Sequence, residues 1–238
     1  KERFANAADF EFFFVGNVDD KAIEDFSAKY LASLPATPVK EKAKDLGYRM
    51  LKGEHKKVVN KGKDPKSSVN IMYYGDAQYS AKEAFAMQAL GEILTIKLVE
   101  QLRENESGVY GVGARGSMNK VPYGSYNFSI SFPCGPDNVE KLTASALNEL
   151  QKIITNGPEA KDLDKFKEAE IQDFRKESKE NRFWLSNFIR SYSNEQSAEE
   201  VLKFEEKVNA LTAKEVQEVA KKYLTKDKVV GMLMPEKS

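Results

Sequence analysis

One histidine and one cysteine in 238 residues set the first limits on what this chain does. A metal site built on paired histidines cannot form within it, because His55 stands alone. His55 lies in the polar stretch "KGEHKK" and reads as a solvated side chain rather than a ligand. A serine–histidine or cysteine–histidine catalytic pair would have to use it, and no nucleophile motif such as G-x-S-x-G accompanies it. Cys134, in "SFPCGP", excludes an intramolecular disulfide and a thiolate metal cluster, and reads as an inert, part-buried residue at a strand end. Charge of one sign is also missing. Thirty-seven basic and thirty-seven acidic residues cancel, so no overall field favours nucleic acid or an anionic membrane. No apolar run approaches the roughly 18 residues of a membrane-spanning helix. The longest, "FEFFFVGNV", is strand-sized. The start, "KERFANAADFEF", lacks the apolar core and small-residue cleavage site of a signal peptide, so the chain reads as entered in mid-course, with any targeting signal upstream.

What is present is 41% hydrophobic residues, enough for a sizeable core. "FEFFFVGNV" (residues 10–18) reads as a strand buried on both faces. The next stretch, "DDKAIEDFSAKYLASLP", has helical spacing, with aspartates at its start and Pro35 after its end. "KKVVNKG" and "SSVNIMYYGD" read as strands; in the second, Val69, Ile71 and Tyr73 alternate with Asn70, Met72 and Tyr74. Ser80 and Glu83 form a capping box at the start of a long helix, and Gly108 is its expected breaker. "VYGVGARGSMN" and "YGSYNFSISF" read as two strands joined by a turn at "KVPYG". Residues 137–225 are helical in period, with Gly157–Pro158 as a break and Thr212 and Glu215 as a second capping box. The charged stretch "PEAKDLDKFKEAEIQDFRKESKEN" reads as a solvated helix, and Trp184, Phe188 and Tyr192, at four-residue steps, as a core stripe. "KVVGMLMPEKS" closes the list as a final strand. About six strands with helices in blocks predict an α+β fold, a mainly antiparallel sheet covered by helices. One such unit accounts for residues 1–238.

The stretch "LRENESGVYGVGARG" places Gly111, Gly113 and Gly116 at the G-x-G-x-x-G spacing of a dinucleotide fingerprint. That fingerprint needs a strand before the glycines and a helix after them. The order here is reversed, and the glycines read instead as small residues where another backbone passes close. Arg103 falls in the last helical turn before the break, and Tyr110 early in the strand after it. A turn between them can direct a guanidinium and a phenol toward one point, as donors to a carbonyl or a developing oxyanion. Without a third signal, an arginine favoured by the helix dipole and an ordinary strand tyrosine explain the pair better.

The third signal is a resemblance spread along the chain. "FFFVGNVDDKAIEDFSAKYLASLP" is similar to the strand, "GxVD", helix and "LP" of the pitrilysin/insulinase zinc metallopeptidases, the inverzincins, in their compact bacterial form. "LRENESGVYGVGARG" resembles their "LRE…G-x-Y" segment, "NGPEAKDLDKFKEAEI" their "GP…EL…AK" helix start, and "NRFWLSNF" the segment after it. The resemblance covers nearly the whole chain, and "LRE…Y" is its specific part. It implies a domain of the pitrilysin/mitochondrial processing peptidase type, the last quarter of a protein whose halves close around a peptide chamber. It implies that an upstream half holds zinc through H-x-x-E-H, and that Arg103 and Tyr110 contact the substrate backbone and the tetrahedral intermediate's oxygen from across the chamber. This chain holds no such motif and is expected to bind no zinc and hydrolyse nothing alone. The implied partners are a peptide or unfolded-protein substrate and the upstream half, on the same polypeptide or a partner subunit; a periplasmic location is the expectation. A non-catalytic partner or scaffold subunit of a two-polypeptide member of the same family is the alternative.

Overall fold

The computed structural model describes residues 4–38 and 41–236. Its residues cluster into two compact units: residues 1–44 with 170–208, and residues 45–169 with 209–238.

In the first unit, Asp19 caps helix α1 (Asp20–Phe26), its carboxylate accepting the Ala22 N–H at 2.7 Å, and a π-helical turn (Ser27–Leu31) extends it. Residues 10–18, expected as a buried strand, form none. A strand needs a ladder partner, and none is present among the described residues. The aromatic rings instead pack edge to face: Phe10 against Phe12 at 6.3 Å between centroids, and Phe13 against Tyr192 at 5.8 Å. Phe12 and Phe14 remain exposed.

The second unit is built on five strands, one fewer than expected. Strands β1 (Glu54–Asn60) and β2 (Ser67–Asp76) are followed by helix α2 (Ala81–Leu98), which continues as a π-helical turn over Val99–Asn105. Strands β3 (Gly113–Asn119) and β4 (Ser125–Cys134) come next, then α3 (Val139–Asn156) and α4 (Ala160–Glu177). The end of α4 from Glu170, α5 (Asn181–Ser193) and α6 (Phe204–Ala210) up to Val208 belong to the first unit, and the second resumes with α7 (Ala213–Tyr223) and strand β5 (Lys228–Met234). The sheet order is β1-β5-β2-β4-β3, with β1 parallel to β5 and every other pair antiparallel. The α+β expectation holds.

Period-2 alternation decides which face of the sheet is covered. Val69, Ile71 and Tyr73 of β2 and Tyr126, Phe128, Ile130 and Phe132 of β4 are buried, while Asn70, Ser131 and Arg115 on the other face are exposed. Tyr74 breaks the pattern: it is buried, and its hydroxyl donates to the Leu51 carbonyl at 2.8 Å. Onto the covered face pack Met87, Leu90, Ile93 and Leu94 of α2, Leu142, Ala146 and Leu150 of α3, and Val216, Val219 and Ala220 of α7. The Thr212–Glu215 capping box forms as expected. At Ser80 only half does. The hydroxyl accepts the Glu83 N–H, but the Glu83 carboxylate turns to Lys222 Nζ and the Tyr223 hydroxyl, each at 2.6 Å, and ties α2 to α7. Lys97 joins α2 to the start of α4 in the same way, 2.9 Å from Glu159 and 3.6 Å from Asp162.

The charged helix α4 is solvated as expected, apart from Leu163, Phe166 and Asp162, which are buried. The proposed core stripe on α5 is not one: no residue of that helix is buried, and Tyr192 stays 49% exposed. Trp184 and Phe188 pack ring to ring at 6.0 Å, and the indole N–H donates to the Ser178 carbonyl at 2.8 Å. Four-residue spacing placed these rings on one side of a helix, but the chain supplies too little apolar surface to enclose them.

Candidate functional site

The turn between α2 and β3 carries both residues singled out in the sequence. Leu98 and Leu102 are fully buried and anchor the end of the helix. The π-helical turn fits one more residue into its last winding than an α-turn would, a geometry often found at functional sites. Arg103 sits on that winding, exposed to solvent. The chain then stops the helix at Ser107 (φ 49°), not at Gly108 as expected. Gly108 has a different task. A Cβ there would lie 2.7 Å from Leu142 Cδ2, so glycine is needed for close approach to α3. Its N–H donates to the Leu102 carbonyl at 2.9 Å, and the Glu106 N–H to the Gln101 carbonyl at 3.1 Å.

Glu106 fastens the turn. One carboxylate oxygen accepts from Gln101 Nε2 at 3.0 Å, and the other lies 3.0 Å from Lys141 Nζ on α3. Burial pushes this carboxyl up, but the hydrogen bonds from Gln101 and Ser145 and the Lys141 ammonium outweigh it and hold it below the usual glutamate range. Val109, the residue before Tyr110, is buried as well.

Tyr110 is 97% exposed. It lies in the connection ahead of β3 rather than in the strand, which starts at Gly113. The side chain of neither Arg103 nor Tyr110 makes a hydrogen bond, ion pair or ring contact with another described residue. The structure thus sets them on either side of one anchored turn, both open to solvent and neither engaged by the other. Chemically the turn offers the donor fork of a guanidinium and one phenol hydroxyl, groups suited to a carbonyl oxygen or an oxyanion.

The three glycines separate into two kinds. Gly116 is required by packing: a Cβ there would sit 2.5 Å from Met87 Cγ and 2.7 Å from Phe128 Cδ2. At Gly111 and Gly113 an added Cβ meets nothing within 4 Å, and neither residue has a positive φ. A strand, not a helix N-terminus, follows them, so no phosphate cradle exists here. Thr95 of α2 meets the backbone of β3 beside them: its hydroxyl accepts the Ala114 N–H at 2.8 Å and lies 3.3 Å from the Ala114 carbonyl oxygen.

Among the described residues no group of three or more His, Cys, Asp or Glu side chains could hold a metal. His55 Nε2 lies 2.9 Å from the Lys52 carbonyl oxygen, and Cys134 is buried, its thiol pushed up by that burial. No helix among the described residues is long and apolar enough to cross a membrane.

The sequence singles out Arg103 and Tyr110 but not Glu106, which sits inside the quoted stretch and fastens the turn. An acid two residues before a glycine signals only a polar helix end until its partners on α3 are known.

Comparison with known proteins follows the same line. The family described as peptidase M16 inactive domain matches residues 1–170. A probable zinc protease, PqqL of Haemophilus influenzae, is 27% identical over 150 residues, covering 63% of this chain and 16% of that protein. Among solved structures, the periplasmic protease PqqL from Escherichia coli superposes with a TM-score of 0.79 at 18% identity, over 93% of this chain and 25% of that one. The ferredoxin protease FusC in complex with Arabidopsis ferredoxin gives a TM-score of 0.75 at 16% identity, over 93% of this chain and 24% of that one. This chain therefore spans a small part of the proteins it matches. With the family match covering its first 170 residues, and a sheet and helices superposing on these proteases, the chain belongs to the peptidase M16 inactive-domain family.

Proposed function

We propose that this chain is the part of a zinc metalloendopeptidase that holds no zinc, a single pitrilysin-like domain within a longer protein. In this reading Arg103 and Tyr110 donate hydrogen bonds to the substrate backbone and to the oxygen that becomes negatively charged during peptide-bond cleavage. The observation that carries it is the 97% exposure of Tyr110 on a turn whose neighbours Glu106, Gly108 and Val109 are held against α3 or the core. Anchored donors aimed outward cost little reorganisation when charge develops on a bound group. Zinc and the base that activates water lie outside this chain, and substrate reaches the turn inside a chamber closed by the rest of the protein. The names of the similar proteins support a peptide or protein substrate, as the FusC–ferredoxin complex does, and a periplasmic location, as PqqL does.

The test is made in the longer protein that contains this chain and a zinc-binding half. Tyr110→Phe keeps the ring and removes the hydroxyl. With an internally quenched peptide, kcat/KM falls about a hundredfold. Unchanged kcat for the phenylalanine variant removes the catalytic role.

A second reading is a partner or scaffold subunit without catalytic residues of its own, which the family's description as an inactive domain favours. It requires that zinc and the H-x-x-E-H motif reside on a separate polypeptide that co-purifies with this one. Zinc bound by the same polypeptide discards it.

A further inference from the structure

At the end of β3 away from Tyr110, the sheet borders a cavity of about 430 Å³ lined by Met72 and Tyr74 of its uncovered face, by Tyr123, Asp76 and Asp227, and by Arg49. Residues 45–53 run beside it with no helix, strand or buried side chain before β1 begins. From this segment Arg49 reaches in. Its guanidinium carbon lies 3.5 Å from the centroid of the Tyr123 ring, and its Nε 3.3 Å from Asp76. The other guanidinium nitrogens fork onto Asp45 of the same segment at 2.6 and 2.9 Å. Stacking on an aromatic face beside a carboxylate is the environment that selects a planar guanidinium over a compact ammonium.

The segment that delivers Arg49 is lightly held. Leu46, Tyr48 and Leu51 expose 65%, 81% and 71% of their surface, so apolar burial contributes little. Beyond Arg49 it is tied by the Tyr74 hydroxyl on the Leu51 carbonyl and, at its β1 end, by the Gly53 N–H on Asp227 and the Lys228 N–H on the Gly53 carbonyl. The Asp76 carboxylate is 72% exposed, and solvent weakens its pairing with Arg49.

We propose that the face of the Tyr123 ring beside Asp76, in the wall of this cavity, is a binding site for an arginine side chain of a peptide, occupied in this structure by Arg49 and freed when residues 45–51 swing aside. Arg49 is the internal stand-in: it displays the ring stacking and carboxylate pairing that an incoming arginine would make. Residues 45–51 therefore compete with the peptide, and removing the Arg49 side chain strengthens peptide binding. This site is separate from Arg103 and Tyr110 and does not depend on the proteolytic reading.

The test uses the full chain and the capped peptide acetyl-Gly-Arg-Gly-amide, titrated by calorimetry, with the citrulline peptide as its uncharged control. Arg49→Ala binds the arginine peptide about tenfold more tightly than the native chain does, and the citrulline peptide no better than the native chain does. Adding Tyr123→Ala removes the gain. Should that variant not fold, Asp76→Asn in the Arg49→Ala background weakens binding instead, since an exposed carboxylate is replaced without loss of shape. No gain on Arg49→Ala overturns the proposal. So does equal gain for citrulline, or a gain indifferent to both Tyr123 and Asp76.

Discussion

The covered face of the sheet and the turn at Arg103–Tyr110 use large side chains in opposite ways. On the sheet, Phe128, Ile130 and Phe132 vanish into the core, and the residues between them only clothe the other face. On the turn, Leu102 and Val109 are buried as anchors, while their sequence neighbours Arg103 and Tyr110 are pushed outward. The first arrangement stores stability; the second spends part of it to hold two donors in water. The two regions should therefore respond to substitution on different axes.

The largest expected effect lies on the sheet. Phe128→Ala empties a fully buried site and lowers unfolding stability by about 3–5 kcal/mol, read from the urea midpoint. Tyr110→Phe does the reverse: the same measurement moves by less than about 0.5 kcal/mol, although cleavage by the zinc-bearing parent drops as described above. If Tyr110→Phe unfolds the chain, the turn is a structural element and the contrast collapses.

Glycines sharpen the contrast within one stretch. Gly108→Ala forces a methyl onto Leu142 and costs about 1–3 kcal/mol. Gly111→Ala, which meets nothing, is neutral or raises stability by about 0.4–1 kcal/mol through the unfolded chain. Thermal melts of the two variants should move in opposite directions, or the second not at all.

A further expected effect is electrostatic. The Glu106 carboxyl is held below its usual value of 4.5, so its contribution is complete above that pH and is lost as pH falls through the lower folded value. Glu106→Gln costs about 1 kcal/mol near neutrality and flattens the acid limb of the stability profile below pH 4.5. Equal acid sensitivity in both proteins would mean that the turn is fastened by Gly108 and Leu142 alone.

Where local chemistry decides the structure, the sequence was legible. The alternation in "SSVNIMYYGD", apart from Tyr74, and in "YNFSISF", the Thr212–Glu215 box and the stop at Gly157 (φ 80°) need only near neighbours, and formed as expected. Where distant partners decide it, the sequence was silent or misleading. Residues 10–18 have strand composition but no ladder partner here, and the rings of α5 have helical spacing without enough surface to cover them. Glu83 had a near neighbour in Ser80 and a better pair of partners 139 and 140 residues away. The candidate site divides in the same way. Arg103 and Tyr110 were readable as a spaced pair, whereas the roles of Glu106, Gly108 and Gly116 rest on α2, α3 and β4, which no local pattern names.

Thr95 bears on how this protein behaves at high concentration. A marginal strand offers its backbone as a template on which further chains can stack, and β3 lies at one margin of the sheet. Through its hydroxyl, whose own proton goes to the Gly91 carbonyl at 2.8 Å, Thr95 accepts the Ala114 N–H at 2.8 Å and takes that donor out of the template. At the opposite margin, β1 carries Lys56 and Lys57, whose charges repel a matching copy. One helix hydroxyl and two lysines are thus a colloidal safeguard, keeping a five-stranded sheet from growing into a larger one.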